Sequence, residues 1–550
     1  MFAAIPQTFV LQIGLVAVAV AAALSLYHKS HGATHFMVPP TVTLEAGFGA
    51  ERLSSSKAAL VLRFILRCVH RLFFLHHEAI LDVPHIEKML SKNRDIFDVG
   101  AMTLTLLQRV FGCDFAGKEH ARLLAMRARL TKLVARDALN ESTVIAALNR
   151  ASIGSKVSSL ITFSDDPGLR QPWERLDDVR ILEPTETGRL AELDLKSLLN
   201  GLIPCISIPL QYGAGFLGRN PSLLEDLNCF ETQATVWLWM GLPTWFPLPS
   251  FRRGVAARDR VRKALESVFR YLQSPSDPTK GGGYGGDADV SDAILERLHV
   301  FEELSIPLDA IGQIEFALNW AEYENTRKIL FWFIFYIYSV PGLLETLRHE
   351  VSASGAIALS DLETRSSDPG TTEHDSRDIT SLDIATLTRE CPLLKSSFFE
   401  TARLMMETLM FRQIVNHDIV MDDGVHRHEL RPGSWVTISN SWTRMDPELY
   451  PEPHSFIPER FIKKTTTAEG HVHTTANIRR LRPWGVGPSM CKGHTFAEKE
   501  ILAIAACIVT LWDIEPVGGE WKRPESKQGI SPTLAPVGRV RVVMKRREKW

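Results

Sequence analysis

The stretch RRLRPWGVGPSMCKGHTFAEKE, residues 479–500, places one cysteine on a glycine-rich turn directly before a helical pattern. Gly485, Gly487 and Gly493 carry no side chain, so the backbone of this turn can approach a bound group closely. The helix that begins near Gly493 directs its positive end toward Cys491, which favours the thiolate form. Because a thiolate is a strong, soft ligand for iron, the stretch predicts that Cys491 ligates a metal.

The other cysteines and the composition exclude several classes of protein. The chain has 550 residues and seven scattered cysteines without a Cys-x-x-Cys pair, which argues against a disulfide framework. Its formal net charge of -2 gives no reason to expect nucleic acid as a partner. An apolar content of 45% and a charged content of 23% are typical of a globular protein with a large core.

The N-terminal segment predicts a membrane anchor. From Phe9 to Leu26 the chain is nearly all apolar, long enough for a helix to cross the ~30 Å hydrocarbon core of a bilayer. Lys29 follows this run and no basic residue precedes it, so the C-terminal side should stay cytosolic. A cleaved signal peptide begins with basic residues and has a shorter apolar run, so we favour an anchor over residues 1–30. The prolines within residues 31–44 predict a stiff hinge.

Residues 45–550 read as one large domain that is mainly helical with a minor sheet. An uninterrupted stretch of 33 residues lies between Pro307 and Pro341, and as one helix it would span ~50 Å. Charged residues immediately precede its apolar second half, which favours a core helix over a second membrane span. Other helices are expected over most of 45–270, at 387–408 and at 495–511. Alternating patterns predict strands at 411–421, 434–442 and 537–547.

The cysteine turn resembles the haem-binding loop of the cytochrome P-450 monooxygenase family, whose pattern is Phe-x-x-Gly-x-Arg-x-Cys-x-Gly. In register with this pattern stand Trp484, Gly487, Cys491 and Gly493. The resemblance implies haem b (iron protoporphyrin IX) as the cofactor, with Cys491 as the axial iron ligand. The residues lining the cofactor would be Trp484, Gly485, Gly487 and Gly493. It also implies the cytochrome P-450 fold, mainly α with a minor β-sheet subdomain, preceded by one transmembrane helix.

Two further patterns agree with this resemblance. Glu400 and Arg403 in FETAR match the family's Glu-x-x-Arg helix, and PERF supplies Arg460 of its meander motif. Each pattern alone is common, since Glu-x-x-Arg is an ordinary pair one helical turn apart. Their conjunction with Cys491, in the family's order, is specific. The three side chains are expected to form a structural cluster, and the anchor and hinge match the microsomal form of the family.

The resemblance also bears on the haem propionates. Arg412 begins a predicted strand where the family commonly places a guanidinium that pairs with a propionate, although an ordinary surface arginine is the alternative. Ser489 stands where the family usually has a second such arginine. This departure leaves one propionate to His494, Arg482 or solvent.

The long helix should cross the distal face of the haem, where the family carries Ala/Gly-Gly-x-Asp/Glu-Thr. This chain reads AEYENT there, with Glu324 at the position of the acid and Asn325 replacing the alcohol. Thr326 lies one residue, ~100° of helix, further on, and Glu322 replaces a glycine. These four are the predicted catalytic residues. The motif is similar to the branch of sterol 7α-hydroxylases and prostacyclin synthase, which also has Asn in place of the usual Thr.

The resemblance implies a monooxygenase that oxidises a lipophilic, terpenoid- or sterol-like molecule with dioxygen, in secondary metabolism. Electrons would come from NADPH through a flavoprotein, NADPH–cytochrome reductase, with cytochrome b5 as an optional second donor. The reductase would dock near Arg479, Arg480, Lys492 and Lys499. The expected location is the endoplasmic reticulum membrane, with a single span and a cytosolic catalytic domain.

Three alternatives remain open on the sequence. Glu322 and the missing threonine are compatible with a haem-thiolate isomerase or dehydratase that needs no external electrons, and Glu322 can instead belong to an internal polar network. Cys491, His494, His471 and His473 could hold zinc, although the spacer between them is long. The non-enzymatic alternative is a haem- or zinc-binding membrane scaffold.

Overall fold

The structure is a computed structural model that describes the strands His77–Ile80 and Phe97–Asp98 and most of residues 100–547. Within the latter range the description omits residues 116–118, 186–187, 275–288, 361–376, 408, 415–417, 423–426, 434, 440, 467–469, 479–480 and 486–489. The predicted anchor over residues 1–30 and the hinge over residues 31–44 lie outside the described residues.

In chain order, the helices of the described residues are α1 (Gly100–Arg109), α2 (His120–Leu139), α3 (Glu141–Arg150), α4 (Ile153–Ser158), α5 (Leu195–Tyr212), α6 (Phe216–Arg219), α7 (Leu223–Gln233), α8 (Thr235–Trp239), α9 (Pro249–Gln273), α10 (Asp292–Glu303), α11 (Leu308–Ser339), α12 (Leu343–Ser354), α13 (Ile384–Glu390), α14 (Pro392–Met405), α15 (Ser441–Arg444) and α16 (His494–Leu511). A short 3-10 helix covers Pro172–Leu176. The strands are β1 (His77–Ile80), β2 (Phe97–Asp98), β3 (Arg180–Thr185), β4 (Gly188–Asp194), β5 (Ile357–Leu359), β6 (Ile379–Leu382), β7 (Leu409–Ile414), β8 (Ile419–Asp422), β9 (Arg427–Leu430), β10 (Trp435–Ser439), β11 (Ile462–Thr466), β12 (Val472–Ala476), β13 (Trp512–Pro516), β14 (Ser526–Lys527), β15 (Ala535–Pro536) and β16 (Arg541–Arg546).

The chain divides into two compact units. The smaller comprises residues 1–99 and 410–439, and the larger comprises residues 100–409 and 440–550. In the smaller unit a four-stranded sheet has the order β1-β10-β7-β2, with β1 parallel to β10 and β2 antiparallel to β7. β8 and β9 form a separate antiparallel pair. The stretch 411–421, expected to be one strand, therefore holds parts of two strands, β7 and β8.

The larger unit is built around α11. The expected helix between Pro307 and Pro341 is present and has 32 residues. Pro307 is its N-cap, and Val340 adopts an extended conformation because the following proline disfavours a helical one, so the helix ends there. From Ala310 to Ile337 nearly all residues of α11 are buried, and α5, α9, α14 and α16 pack against the helix.

A second four-stranded sheet belongs to the larger unit and has the order β13-β16-β4-β3. The strand expected at 537–547 is confirmed as β16, which pairs antiparallel with β13 and with β4. β3 and β4 lie in a region that was expected to be mainly helical. The pairing of β4 with β16 places Asp194 opposite Arg541, two residues far apart in the chain, and such a contact overrides the local pattern.

The helix expected at 387–408 is broken into α13 and α14. Cys391 lies between them with φ -114° and ψ 67°, outside the helical region, because Pro392 follows it. Pro392 opens α14 at a position where the missing amide hydrogen costs nothing. The break sets the direction of α14, which carries Glu400 and Arg403.

No single helix among the described residues is long and apolar enough to cross a membrane. α11 and α12 reach that length and hydropathy only as a pair, which is bent by 106° at the junction. The apolar second half of α11 is buried against the rest of the larger unit, as the charged residues before it had predicted for a core helix.

Candidate active site

The turn that carries Cys491 is held by its own backbone. The amide of Cys491 donates a hydrogen bond of 2.9 Å to the carbonyl of Trp484, and the amide of Gly485 donates one of 3.1 Å to Arg482. Gly485 has a φ of +78°, which side chains other than hydrogen rarely adopt. Gly493 is the N-cap of α16, so Cys491 lies just before the N-terminus of that helix. The predicted turn and helix are thus both present.

The sulfur of Cys491 is available to a ligand. Cys491 is exposed and makes no disulfide, whereas every other described cysteine is buried or half-buried. A Cβ added at Gly493 would meet no atom within 4 Å, so the space beside the turn is open. Desolvation raises the pKa of the Cys491 thiol, while the backbone hydrogen bond from Gly493 and the charge of Lys492 act to lower it. A bound metal would complete the stabilisation of the thiolate.

α11 has a single open stripe between Ala310 and Ile337. All other residues in that interval are buried. The residues of the stripe are Ala317, Leu318, Ala321, Glu322 and Asn325. Their spacing of one, three or four positions places them on one face, and small or apolar side chains occupy its first part. The stripe therefore marks an opening along a helix that is otherwise enclosed by protein.

The open stripe and the cysteine turn belong to helices in direct contact, since α11 packs against α16. One exposed thiol on a glycine turn and one open face on a core helix are the features that a thiolate-ligated haem requires. The residues present therefore fit that cofactor. Cys491 would hold the iron, and the backbone around Gly485 and Gly493 leaves room for the ring.

Asn325 and Thr326, two of the predicted catalytic residues, differ in the hydrogen-bonding groups that they can present to the opening along α11. Asn325 is half-buried on the stripe, and its Oδ1 accepts hydrogen bonds from the backbone amide (3.2 Å) and hydroxyl (3.0 Å) of Thr533. Because a backbone amide can only donate, this contact fixes Asn325 with its Nδ2 on the other side. Thr326 is buried, and its hydroxyl donates to the carbonyl of Glu322 at 2.9 Å. Its hydroxyl is thus already used within the helix.

Glu324 lies in a buried ion cluster. Its carboxylate contacts both Arg327 and Lys328, and Lys328 also donates to Ser531 at 2.9 Å and lies 3.5 Å from Glu231. Burial raises the pKa of Glu324 to about 7, while the charge of Arg327 acts to lower it and the charge of Glu231 adds to the rise. The cluster ties α11 to α7 and to the C-terminal segment.

Glu322 lies on the open stripe and faces a different set of groups. Its carboxylate accepts a hydrogen bond from Gln211 of α5. Burial raises the pKa of Glu322 to about 7, opposed by the charge of Arg297 and by the hydrogen bond from Gln211. The polar network that the sequence left open as one role for Glu322 is present.

Sequence reasoning missed the partners of these residues. Gln211, Glu231 and Thr533 come from segments far from α11 in the chain, Arg297 comes from the preceding helix, and none of the four matches a motif. A polar residue in an apolar helix, such as Gln211 in a stretch rich in Leu and Ile, is the local signal that could have indicated one of them.

The Glu400–Arg403–Arg460 cluster joins α14, which carries Glu400 and Arg403, to the segment that carries Arg460. Arg403 donates two hydrogen bonds to the Glu400 carboxylate, at 2.7 and 2.8 Å, and Arg460 donates a third at 2.9 Å. The backbone amide of Ile457 donates a fourth at 3.1 Å. Glu400 and Arg403 are fully buried. The carboxylate thus holds the segment that contains PERF against the helix.

The same two arginines also bind backbone carbonyls. Arg403 donates to the carbonyls of Arg444 (2.9 Å) and Pro453 (2.7 Å), and Arg460 donates to that of Pro451 (2.6 Å). Arg444 returns the contact by donating to the carbonyl of Arg403 at 3.0 Å. The irregular segment before β11 is therefore fixed by guanidinium groups rather than by regular secondary structure.

Aromatic contacts connect this cluster to the cysteine turn. The ring of Phe399, next to Glu400, meets the rings of Phe461 and Trp484 edge to face, with centroids 5.9 and 6.4 Å apart. Trp484 in turn accepts the amide hydrogen bond of Cys491 on its carbonyl. A shift of the segment around Phe461 would therefore displace the cysteine turn through these ring contacts.

The remaining predicted site residues are placed as follows. Gly487 and Ser489 lie outside the described residues, as do Arg479 and Arg480. Arg412 lies on β7, in the smaller unit, and remains a predicted propionate partner. Lys492 is half-buried beside the cysteine.

One predicted docking residue is wrong. Lys499 is buried, and its ammonium group forms a 2.6 Å ion pair with Glu141 of α3. It is not available to a partner protein, because α3 covers the side of α16 from which it projects.

The structure gives no support to a zinc site. His494 directs its Nδ1 to the carbonyl of Cys491 at 2.8 Å, and His471 and His473 are exposed at β12. Among the described residues, no group of three or more His, Cys, Asp or Glu side chains could hold a metal ion.

The family model of cytochrome P-450 matches residues 221–537, more than half of the chain. The chain is 24% identical to the cytochrome P-450 monooxygenase poxD of Penicillium oxalicum, covering 60% of each protein. It is 28% identical to the 25-hydroxycholesterol 7-alpha-hydroxylase of Rattus norvegicus, covering 41% of this chain and 50% of that protein. The chain spans about half to 60% of the length of the curated relatives it matches. These matches confirm the predicted resemblance to the sterol 7α-hydroxylase branch.

The solved structure of retinoic acid-bound cyanobacterial CYP120A1 is similar to this one, with a TM-score of 0.53 and 18% sequence identity. The similarity covers 85% of this chain and 89% of that chain. It confirms the predicted fold, mainly helical with small sheets.

The buried cluster predicts how the site fails when it is broken. Arg403→Ala leaves the Glu400 carboxylate in the core with one cation fewer, which should cost about 3–5 kcal/mol of folding free energy. We expect the variant to unfold at lower temperature and to copurify with little or no haem. The measurement is haem absorbance per polypeptide together with the melting midpoint followed by circular dichroism.

Arg389→Ala is the matched control for this prediction, because Arg389 forms an exposed ion pair with Glu390 that should contribute little. An Arg403→Ala protein with normal haem content and melting midpoint would show that the cluster does not support the cysteine turn.

Proposed function

This chain belongs to the cytochrome P-450 family, and on that premise we propose that it is a haem-thiolate monooxygenase. The observation that carries the proposal is the exposed Cys491 thiol on its glycine turn, directly before α16, a helix that packs against α11. When bound, haem supplies the activation of dioxygen. The overall reaction inserts one oxygen atom into a C–H bond, and two electrons and two protons convert the other into water.

The residues of this chain have distinct roles in the proposal. Cys491 would hold the cofactor through its sulfur, and Gly485 and Gly493 leave space for the ring. Trp484 supports the turn, since its carbonyl accepts the amide hydrogen bond of Cys491 and its ring packs against Phe399. Asn325, whose amide is oriented by Thr533, presents its Nδ2 donor on the open stripe. That donor can orient a polar atom in the opening, although it cannot donate and accept a proton as a hydroxyl does.

The proposed substrate is a lipophilic molecule of the sterol or terpenoid class, processed in secondary metabolism. Ala317, Leu318 and Ala321 give the first part of the stripe an apolar surface of low relief. An opening of this kind favours a ligand that is large, rigid and apolar. The rat relative is named for hydroxylation of 25-hydroxycholesterol, which supports the same class.

Turnover with a supplied reductase tests this function. We expect NADPH–cytochrome reductase, with or without cytochrome b5, to support a mass gain of one oxygen atom on members of a sterol and terpenoid panel. NADPH and dioxygen should be consumed with product, and Cys491→Ser should abolish the reaction. Product formed without NADPH would instead support the isomerase or dehydratase alternative. This alternative is favoured by the lack of a hydroxyl on Asn325 and by the use of the Thr326 hydroxyl within the helix.

We propose a location in the endoplasmic reticulum membrane, with a single span over residues 1–30 and a cytosolic catalytic domain. Beyond the N-terminal sequence, an exposed apolar surface supports membrane contact: Trp237 and Met240 at α8 and Trp245 after it are exposed. Exposed arginines at the start of α9 follow this surface. Aromatic residues beside basic ones are typical of segments that lie at a membrane interface.

Fractionation tests this location. The full chain should stay with microsomes after alkaline extraction, and protease added to the cytosolic side should digest the catalytic domain. A variant without residues 1–30 should still bind vesicles of anionic lipids weakly, and Trp237→Ser with Trp245→Ser should reduce that residual binding further. Full release of the intact chain by alkaline extraction would contradict the single-span anchor.

A further inference from the structure

Two carboxyl groups of α11 could handle protons next to the opening, and their contacts distinguish them. Glu324 is fully buried, and its oxygens are taken by Arg327 and Lys328. Glu231 adds a second carboxylate to the same cluster, so that two cations face two anions. Loss or gain of a proton there would break ion pairs that connect α11 with α7. Glu324 is therefore placed to hold the helices together.

Glu322 has a different environment, because no cation among the described residues contacts its carboxylate. It is half-buried on the open stripe, one oxygen accepts a hydrogen bond from Gln211, and the other bonds to no described residue. Arg297 donates to the Oε1 of Gln211 at 2.6 Å. Since arginine can only donate, Gln211 must direct its oxygen to Arg297 and its amide hydrogens to Glu322. The orientation of Glu322 is thus fixed from α10 through α5.

The positive charge of Arg297 is balanced by Glu315 rather than by Glu322. Arg297 forms a buried ion pair with Glu315, with contacts of 3.0 Å to each carboxylate oxygen. The hydroxyl of Tyr212 donates to Glu315 at 2.6 Å, and Asn319 donates to that hydroxyl at 2.5 Å. Glu315 is therefore satisfied as an anion, which leaves Glu322 free to exist in the neutral, protonated form.

A further carboxyl group lies on the side of α16. Glu500 is buried and accepts a hydrogen bond of 3.5 Å from Ser207. Burial raises its pKa well above the usual range, and the negative charge of Glu322 raises it further. Glu322 and Glu500 therefore resist being ionised together.

We propose that Glu322, positioned by Gln211 and Arg297, is the group that donates a proton in the opening, and that Glu324 is not. The inference rests on the monooxygenase function proposed above. In this step the O–H bond of Glu322 breaks, and its proton goes to the oxygen atom of dioxygen that leaves as water. The electrons come from the reductase, and Glu322 regains a proton from solvent in the opening.

The charged and polar groups that face Glu322 agree with this assignment. They are Gln211 of α5, Arg297 of α10, Glu315 of α11 and Glu500 of α16. Because Glu322 and Glu324 both have a pKa raised to about 7, their titration alone does not choose between them. The open position of Glu322 and the ion pairs of Glu324 make the distinction.

Infrared titration of the full-length holoprotein provides a test that needs no turnover. We expect a protonated carboxyl band that titrates near neutral pH, is lost in Glu322→Gln, and shifts in Gln211→Leu, which removes the hydrogen bond but keeps the carboxyl. Glu324→Gln should leave this band in place. If Glu322→Gln and Gln211→Leu leave every titrating carboxyl band unchanged, the inference is wrong, whatever the result for the reaction.

Turnover of the same variants supplies the second readout. Glu322→Gln should lower product formed per NADPH by about 100-fold, the range of a lost general acid, with a larger solvent isotope effect. Glu322→Asp, which keeps the carboxyl, should recover part of this loss. Glu324→Gln should mainly lower the melting midpoint. The role would belong to Glu324 instead if Glu322→Gln formed product with the wild-type yield per NADPH, while a stable Glu324→Gln consumed NADPH without forming product. Absence of all turnover in wild type would count against the proposed function and leave the infrared test to decide.

Discussion

The buried carboxylate of Glu400 is the constraint on which the candidate site depends. Four hydrogen bonds from three residues converge on it, and two of these residues, Arg403 and Arg460, also bind the carbonyls of the irregular segment before β11. A buried charge is costly unless all of its partners are in place, so the cluster forms completely or not at all. It therefore specifies one position for a segment that has little regular secondary structure of its own, and aromatic packing through Phe399 extends that order to the cysteine turn.

α11 contributes the other part of the candidate site, and there too buried charges are compensated by partners. The helix carries five charged residues between Glu315 and Lys328, yet it crosses the core of the larger unit. Each of these charges forms an ion pair with a described residue, apart from Glu322, which accepts a hydrogen bond from Gln211 instead. Its position on the open stripe next to Asn325 makes it the exception, and a polar group left partly uncompensated in an otherwise satisfied core is typical of a functional site.

Much of this arrangement could be predicted from the sequence, because the relevant signals are local. The glycine turn before a helix, the i,i+3 spacing of Glu400 and Arg403, and the prolines that bound α11 each act within a few residues. The partners of the distal residues could not be predicted, because Gln211, Thr533 and the strand pairing of β4 with β16 depend on contacts between distant segments. Lys499 shows the same limit: nothing near it in the sequence reveals that Glu141 covers it.

The binding of carbon monoxide to the reduced, haem-containing protein tests the central claim, that the Cys491 sulfur ligates the haem iron, most directly. The account predicts an absorption band displaced far to the red of that of a histidine-ligated haem in the wild-type protein. It predicts that Cys491→Ser loses this band, while Cys229→Ser, a change at a half-buried cysteine on α7, keeps it. A displaced band that persists in Cys491→Ser, or its absence from a haem-replete wild-type protein, would contradict the account.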